Sequence, residues 1–495
     1  MRRILVVGAG VVLTTLAAGL IVRQPSVAPL TVAALVAVLV LVIRPAWSIY
    51  LTLIFAFTAL PAAIPTEFEV AGSSIRVHEP FLVLALVYSV AHFRASRRAN
   101  LLAGAFAAFV AVGLLVAFAS QNPVSKIIFD ARPVVECAAV IFIAVRLYGT
   151  KIARRCIVVF TWILWVSAVI VFAGATLGVS VGGRTEEADL ANPDAVSGAA
   201  TRLLTSATFP ALAVLCAITA LVVAGKMPLR SSWVLGVPAL VIVILSFSRN
   251  SILALGVAVL FAALMSRTVS STTRAVGIGL TTVAVFGLLV VMNPILAGLP
   301  GGEFINTQVA SYASRVIDGL NSNVQASDIS VQFRVSEDGW LLQGLSTSPI
   351  FGHGFGFAYK PSAGRSSFTL DYAPYYAHNF YLWTAVKSGL LGGVLMLVSV
   401  VGPLWRAVRK PSFSTIAIAS ALAGMLGSSF VAPVALSATS SVLFGVLVGA
   451  VIAATEGSKG STGQAPEKPR AEGRPVAPSR PPSRFFDCPE ECALT

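Results

Sequence analysis

Charged residues make up only 11% of this 495-residue chain, against about 25% in soluble domains. So few charges cannot cover the surface of a water-soluble globule, so the usual soluble-domain count of about one per 150 residues does not apply. Cysteine is sparse as well, with five in the chain. Cys137, Cys156 and Cys216 lie in or beside apolar runs, where a thiol behaves as a small hydrophobe. Cys488 and Cys492 lack the further ligands that a zinc pattern requires. A disulfide scaffold and a structural zinc site are both excluded. No internal repeat is visible, which removes the signature of an inverted-repeat transporter.

What the chain has in place of charge is 56% hydrophobic residues. A bilayer-spanning helix needs about 20 apolar residues, and runs of that scale recur from Ile4 to Ala454. The fold class is therefore all-α, a polytopic helical membrane protein of about 12–14 spans. Spans are expected near 4–22, 27–43, 47–64, 80–93, 101–119, 133–148, 157–178, 207–225, 231–247, 250–266, 275–292, 388–405, 413–431 and 435–454. The first run is longer than a signal-peptide core and has no clear cleavage site, so it is read as a retained span.

The net charge of +14 is an orientation signal rather than a polyanion-binding surface. Basic clusters such as Arg94/Arg97/Arg98, Lys151/Arg154/Arg155 and Arg406/Arg409/Lys410 fall on alternate loops, and those loops carry no Asp or Glu. The positive-inside rule then puts both termini in the cytoplasm and the protein in the cytoplasmic membrane, with no nucleic-acid partner. Three outward segments are long: Pro65–Glu79, Val179–Ser206 and Asn293–Lys387. Loops of that length are functional or disordered. The last holds six of the nine tyrosines, and Ile317–Leu345 has enough helical periodicity for a helix lying on the membrane. The chain thus divides into an N-terminal bundle (1–292), a large outer loop (293–387), C-terminal spans (388–454) and a Pro/Gly/Ser-rich disordered tail (455–495).

Candidate chemistry concentrates on the outer side. Of four histidines, His353 lies in Gly352-His353-Gly354-Phe355-Gly356 and His378 in Tyr375-Tyr376-Ala377-His378-Asn379. A histidine there either takes a proton from a hydroxyl or is hydrogen-bonded at the interface. Without the Lys-Ser/Thr of a Walker loop, the glycines read as a tight turn beside a ligand, Gly352 and Gly354 removing side-chain bulk. Arg249, in Ser248-Arg249-Asn250, joins two spans at their outer ends, and Arg334 lies in the large loop. Guanidinium groups fork onto phosphate oxygens. The competing reading is a salt bridge, with Glu337 and Asp338 close to Arg334. Lys126, Asp130, Arg132 and Glu136 form a charged entry to the sixth span, first an ion-pair cluster, with Arg132 a second candidate for lipid phosphate. The outer carboxylates show no metal-ligand spacing, so no metal and no cofactor is expected.

The order of these residues carries a resemblance. Outward Ser248-Arg249 is followed by a long loop with Arg334, Trp340, Pro349 and Gly352-His353-Gly354, then by His378-Asn379 ahead of Leu390-Leu391-Gly392-Gly393. This resembles the O-antigen ligase and polysaccharide polymerase superfamily over roughly Arg249 to Val401. The resemblance implies a metal-independent transmembrane glycosyltransferase. Its donor is a glycan on a polyprenyl-diphosphate carrier; its acceptor is a glycan, lipid or wall polymer. Arg249 and Arg334 match the arginines at the donor diphosphate, and His378 matches the histidine at the acceptor hydroxyl. Asn379 then orients the His378 ring, Tyr375 and Tyr376 offer faces to sugar rings, and His353 is the alternative base. Ligase and repeat-unit polymerase share this donor chemistry and differ in acceptor. A rival of another class, a lipid-linked glycan transporter, needs charge inside its spans, and charge is expected only at one end of the sixth. A non-catalytic scaffold for a wall-polymer complex is the third reading.

Overall fold

The computed structural model describes residues 43–70, 73–187, 201–297, 302–312, 329–361 and 374–456. The expected span 4–22, the span 27–43 apart from its last residue, and the tail beyond 456 lie outside the described residues. The described chain opens with α1 (Trp47–Phe57), a hairpin of β1 (Glu67–Val70) and β2 (Ser73–Arg76), and α2 (His78–His92). The helices α3 (Arg97–Ala119), α4 (Val124–Leu147) and α5 (Lys151–Leu177) follow, then a hairpin of β3 (Arg184–Glu187) and β4 (Thr201–Leu204). Next come α6 (Thr208–Val223), α7 (Trp233–Ile244), α8 (Arg249–Ser266), α9 (Val269–Ala297) and α10 (Gly302–Tyr312). The large loop contributes α11 (Ile329–Thr347), and α12 (Phe380–Arg409), α13 (Phe413–Ser428) and α14 (Ala438–Thr455) complete the bundle.

The protein is a polytopic helical membrane protein. By length and composition, α3, α5, α8 and α12 can cross a bilayer, and five shorter apolar helices accompany them. Their outer surfaces expose Leu115, Trp162, Leu260 and Leu391, side chains that need lipid rather than water around them. Helix starts follow local chemistry. Ser96 accepts from Ala99 N, Thr150 accepts from Ala153 N, and Ser412 with Thr415 forms a reciprocal capping box on α13. Hydrophobic attraction between helices fades in lipid, so close packing relies on small residues. Gly445 and Gly449 of α14 are four apart and press on α4, where an added Cβ would meet Cys137 O at 2.7 Å and Ile141 O at 2.8 Å.

Two helices begin about two turns before their apolar runs. α4 starts at Val124 rather than near 133, and α12 at Phe380 rather than 388. Lys126, Asp130, Arg132 and Lys387 therefore lie on helices, where hydropathy alone assigns them to loops. Lys387 is fully buried, so buried charge extends beyond the sixth expected span. Of the stretch 317–345, residues 329–345 are helical as part of α11, and residues 317–328 lie outside the described ones.

The long α12 breaks at Gly389 (φ 64°, ψ −173°), and the break organises the segment before it. Carbonyls and N–H groups released at a helix break need partners in an apolar medium. The 349–357 segment supplies them: His353 N donates to Val386 O (2.9 Å), Gly354 N to Lys387 O (2.8 Å), and Leu390 N to Pro349 O (2.9 Å).

Candidate active site

The site is assembled where α11, the glycine segment and the start of α12 meet. On α11, Arg334 and Glu337 are three residues apart, so they are neighbours on the helix surface. Glu337 is fully buried. Its Oε1 accepts from Lys360 Nζ (2.5 Å) and Tyr359 OH (3.2 Å), and its Oε2 accepts from His378 N (2.7 Å) and His378 Nδ1 (2.9 Å). Both carboxylate oxygens are thus satisfied, with the single Tyr359 O–H shared between Glu337 and the Tyr376 carbonyl. Burial alone would raise the Glu337 pKa, but the His378 bond, the His378 charge and Lys360 outweigh it and hold the carboxyl below the usual glutamate range. Burial together with the adjacent Glu337 anion pushes the Tyr359 phenol up, so it stays a donor.

An anionic Glu337 fixes the His378 tautomer. In the neutral ring, Nδ1 carries the proton donated to Glu337 and the lone pair lies on Nε2, the form that a general base requires. The ring is 13% exposed and is held edge-on by Phe333 (6.3 Å) and Tyr376 (5.7 Å). The expectation that Asn379 orients His378 is corrected. Asn379 Oδ1 accepts from Tyr381 N and Leu382 N, capping α12, and Glu337 holds the histidine.

Other expected residues are placed as follows. His353 stacks on Phe357 at 4.1 Å, with Nε2 against Gly344 O (3.0 Å) and Thr347 Oγ1 (2.9 Å), which ties it to the end of α11. Gly352 and Gly354 have φ of 71° and 79°, a region that favours glycine. The bulk they avoid belongs to the protein: a Cβ would meet Val386 O at 2.6 Å or Ala117 N at 2.2 Å. Tyr375 packs under Lys126 (5.4 Å) and accepts from Trp383 Nε1 through its carbonyl. The Tyr376 carbonyl accepts from Tyr359 OH.

Arg249 opens α8, and its entry turn is unusual. Phe247 is buried with φ 42°, a costly conformation for a bulky residue. α8 packs on α13, whose end accepts the Phe380 N–H through Ser429 O (3.0 Å). The structure thus seats His378 on Glu337, one turn along α11 from Arg334, and places Arg249 at the first turn of α8.

Beneath the glycine segment lies a buried ion pair that hydropathy does not reveal. Lys387 Nζ donates to Asp130 Oδ2 (2.5 Å) and Phe357 O (2.8 Å), and Gly356 N donates to the same Oδ2 (2.8 Å). Asp130 therefore serves α12 and the glycine segment rather than its local bases. Arg132 pairs with Glu79 and with Glu136 (3.6 Å), as the ion-pair reading expects. Burial would raise the Glu79 pKa, but the Arg132 bond prevails and lowers it. His78, Glu79 and Glu136 bring three potential ligand atoms within 4.8 Å of one another. Arg132 on both carboxylates and Arg76 at 3.8 Å from Glu136 already supply positive charge there, so the residues fit an ion-pair cluster better than a cation site.

Sequence reasoning treats Glu337 only as a salt-bridge partner for Arg334 and misses Lys360 and Tyr359. A three-residue spacing on a helix was the one available signal for Glu337. Among curated proteins, none matches the chain significantly. Residues 234–397 match the family model described as O-Antigen ligase. That stretch contains Arg249, Arg334, Glu337, His353 and His378, while Arg132 and the β1–β2 hairpin precede it. The similarity to the O-antigen ligase family thus spans residues 234–397, from within α7 into α12.

Proposed function

We propose that this protein is a membrane glycosyltransferase of the O-antigen ligase type. It transfers a glycan from a polyprenyl-diphosphate carrier to an acceptor hydroxyl at the outer face of the cytoplasmic membrane. The observation that carries the reading is the Glu337–His378 pair, presented one helical turn from Arg334. His378 Nε2 accepts the hydroxyl proton as the acceptor oxygen bonds to the anomeric carbon. The bond from that carbon to the diphosphate breaks, and the diphosphate leaves with the electron pair. Attack opposite the leaving group inverts the anomeric centre. Arg249 and Arg334 meet the charge that develops on the diphosphate, so no divalent cation is required.

The test is transfer by purified full-length protein in nanodiscs, with a polyprenyl-diphosphate oligosaccharide, a panel of glycan and lipid acceptors, and EDTA present. Product with inverted anomeric configuration is the expected result. If no acceptor is glycosylated while proteoliposomes move the lipid-linked glycan between leaflets, the protein is a transporter. Orientation is tested separately in a cysteine-free background. The exposed Ser346 (α11) and Ser270 (α9) lie on opposite sides of the membrane in this reading. In intact cells a membrane-impermeant maleimide should label the Ser346→Cys protein and spare the Ser270→Cys protein. The reverse pattern overturns the outward site.

A further inference from the structure

A cavity of about 150 Å³ opens beside the candidate site, among α4, the β1–β2 hairpin, the start of α12 and the approach to α14. That volume is the size of a cavity that holds one benzene ring. Its walls divide by chemistry. Phe129, Tyr376 and Trp383 supply aromatic surface, and Glu67, Arg76 and Arg132 supply donors and acceptors. Tyr376 is shared with the proposed base, since its ring meets the edge of His378 at 5.7 Å.

The charges around the cavity leave no excess of positive charge. Arg76 bonds Glu67 (3.0 Å) and lies 3.8 Å from Glu136, while Arg132 bonds Glu79 and lies 3.6 Å from Glu136. His78 Nε2 is 3.2 Å from Glu136. Two guanidinium groups thus face three carboxylates, with the Asp130–Lys387 pair neutral beside them. An anion gains nothing from such a ring. A sugar hydroxyl, which donates one hydrogen bond and accepts two, suits alternating guanidinium and carboxylate edges. The aromatic walls suit the apolar face of the same ring. Arg76 itself lines the cavity, while its buried Nη1 lies 3.8 Å from Glu136 and makes no hydrogen bond within the protein.

We infer that this cavity is a subsite for one uncharged sugar ring of a glycan substrate, with Arg76 and Phe129 as specificity-determining residues. This rests on the glycosyltransferase reading for its purpose but not for its test. The ring belongs either to the acceptor or to the donor glycan, and both present the same hydroxyl and ring-face chemistry.

The direct measurement is saturation-transfer NMR on full-length protein in nanodiscs. The probes are methyl glucoside, methyl mannoside, methyl N-acetylglucosaminide, methyl glucuronide and inorganic pyrophosphate. At least one neutral glycoside should receive saturation, without competition from pyrophosphate, and the signal should vanish in both Arg76→Gln and Phe129→Leu proteins. The His378→Ala protein should keep it, so binding is read even if transfer itself fails. Signal from glucuronide or pyrophosphate alone, lost in Arg76→Gln, would make the cavity an anion subsite and overturn the inference. No glycoside signal, or one that persists in both cavity variants, also overturns it. In the transfer assay, loss of a charged hydrogen bond in Arg76→Gln should raise one KM about 10- to 100-fold at unchanged kcat. A rise for the acceptor assigns the ring to the acceptor, and a rise for the donor assigns it to the donor. An Arg76→Gln protein with both KM values unchanged refutes the subsite.

Discussion

Replacing His378 by Ala should lower glycan transfer by about 10²–10⁴-fold, the usual cost of losing a general base. The donor lipid should bind as before, because the charges assigned to its diphosphate are Arg249 and Arg334. Glu337→Gln is the sharper variant, since it keeps the size of the side chain that holds His378. A glutamine can donate to Nδ1 as readily as accept from it, and donation would move the ring proton to Nε2, where no lone pair is then left to take a hydroxyl proton. It would also leave the buried Lys360 without its carboxylate. The expected result is a fall in kcat with the donor KM unchanged, partly restored by Glu337→Asp. A merely structural Glu337 would alter both constants together. Full transfer by the His378→Ala protein rejects the base assignment and moves it to His353.

Much of the architecture was legible because lipid imposes a simple rule: runs of about 20 apolar residues become helices. Most helix positions follow from it, including α8 beginning at Arg249 and α13 at Phe413. The misreadings share a physical cause. Lys387 and Asp130 break the apolar pattern, yet each neutralises the other, so both sit inside helices that hydropathy cuts short. His378 is readable as a base from its place in the outer loop, but its orienting partner is not. Asn379 is adjacent in sequence and spends its side-chain oxygen on the N-terminus of α12, while Glu337 arrives from 41 residues upstream by way of α11. Glycines 352 and 354 announce that bulk is excluded; only the fold shows that the excluded bulk would meet the backbones of α3 and α12.

The same buried pair carries the largest expected effect on stability. Lys387→Met removes the cation that neutralises Asp130 and leaves a buried carboxylate without its counter-charge. Removing one partner of a buried pair costs about 3–5 kcal/mol, whereas replacing both by apolar residues is often neutral. The single variant should therefore unfold at clearly lower temperature in a thermal scan of detergent-solubilised protein. The Asp130→Leu/Lys387→Met double variant should recover most of that loss. Recovery should remain incomplete, because Gly356 N–H loses its acceptor and Phe357 O its donor. Those bonds hold the glycine segment against the break in α12 at Gly389, about three turns beyond His378 and its cap. Transfer by the double variant should then lag behind its stability, since the groups that seat His378 against α11 have been loosened while the bundle still folds. A double variant as unstable as Lys387→Met alone would show that the pair is not what Lys387 contributes.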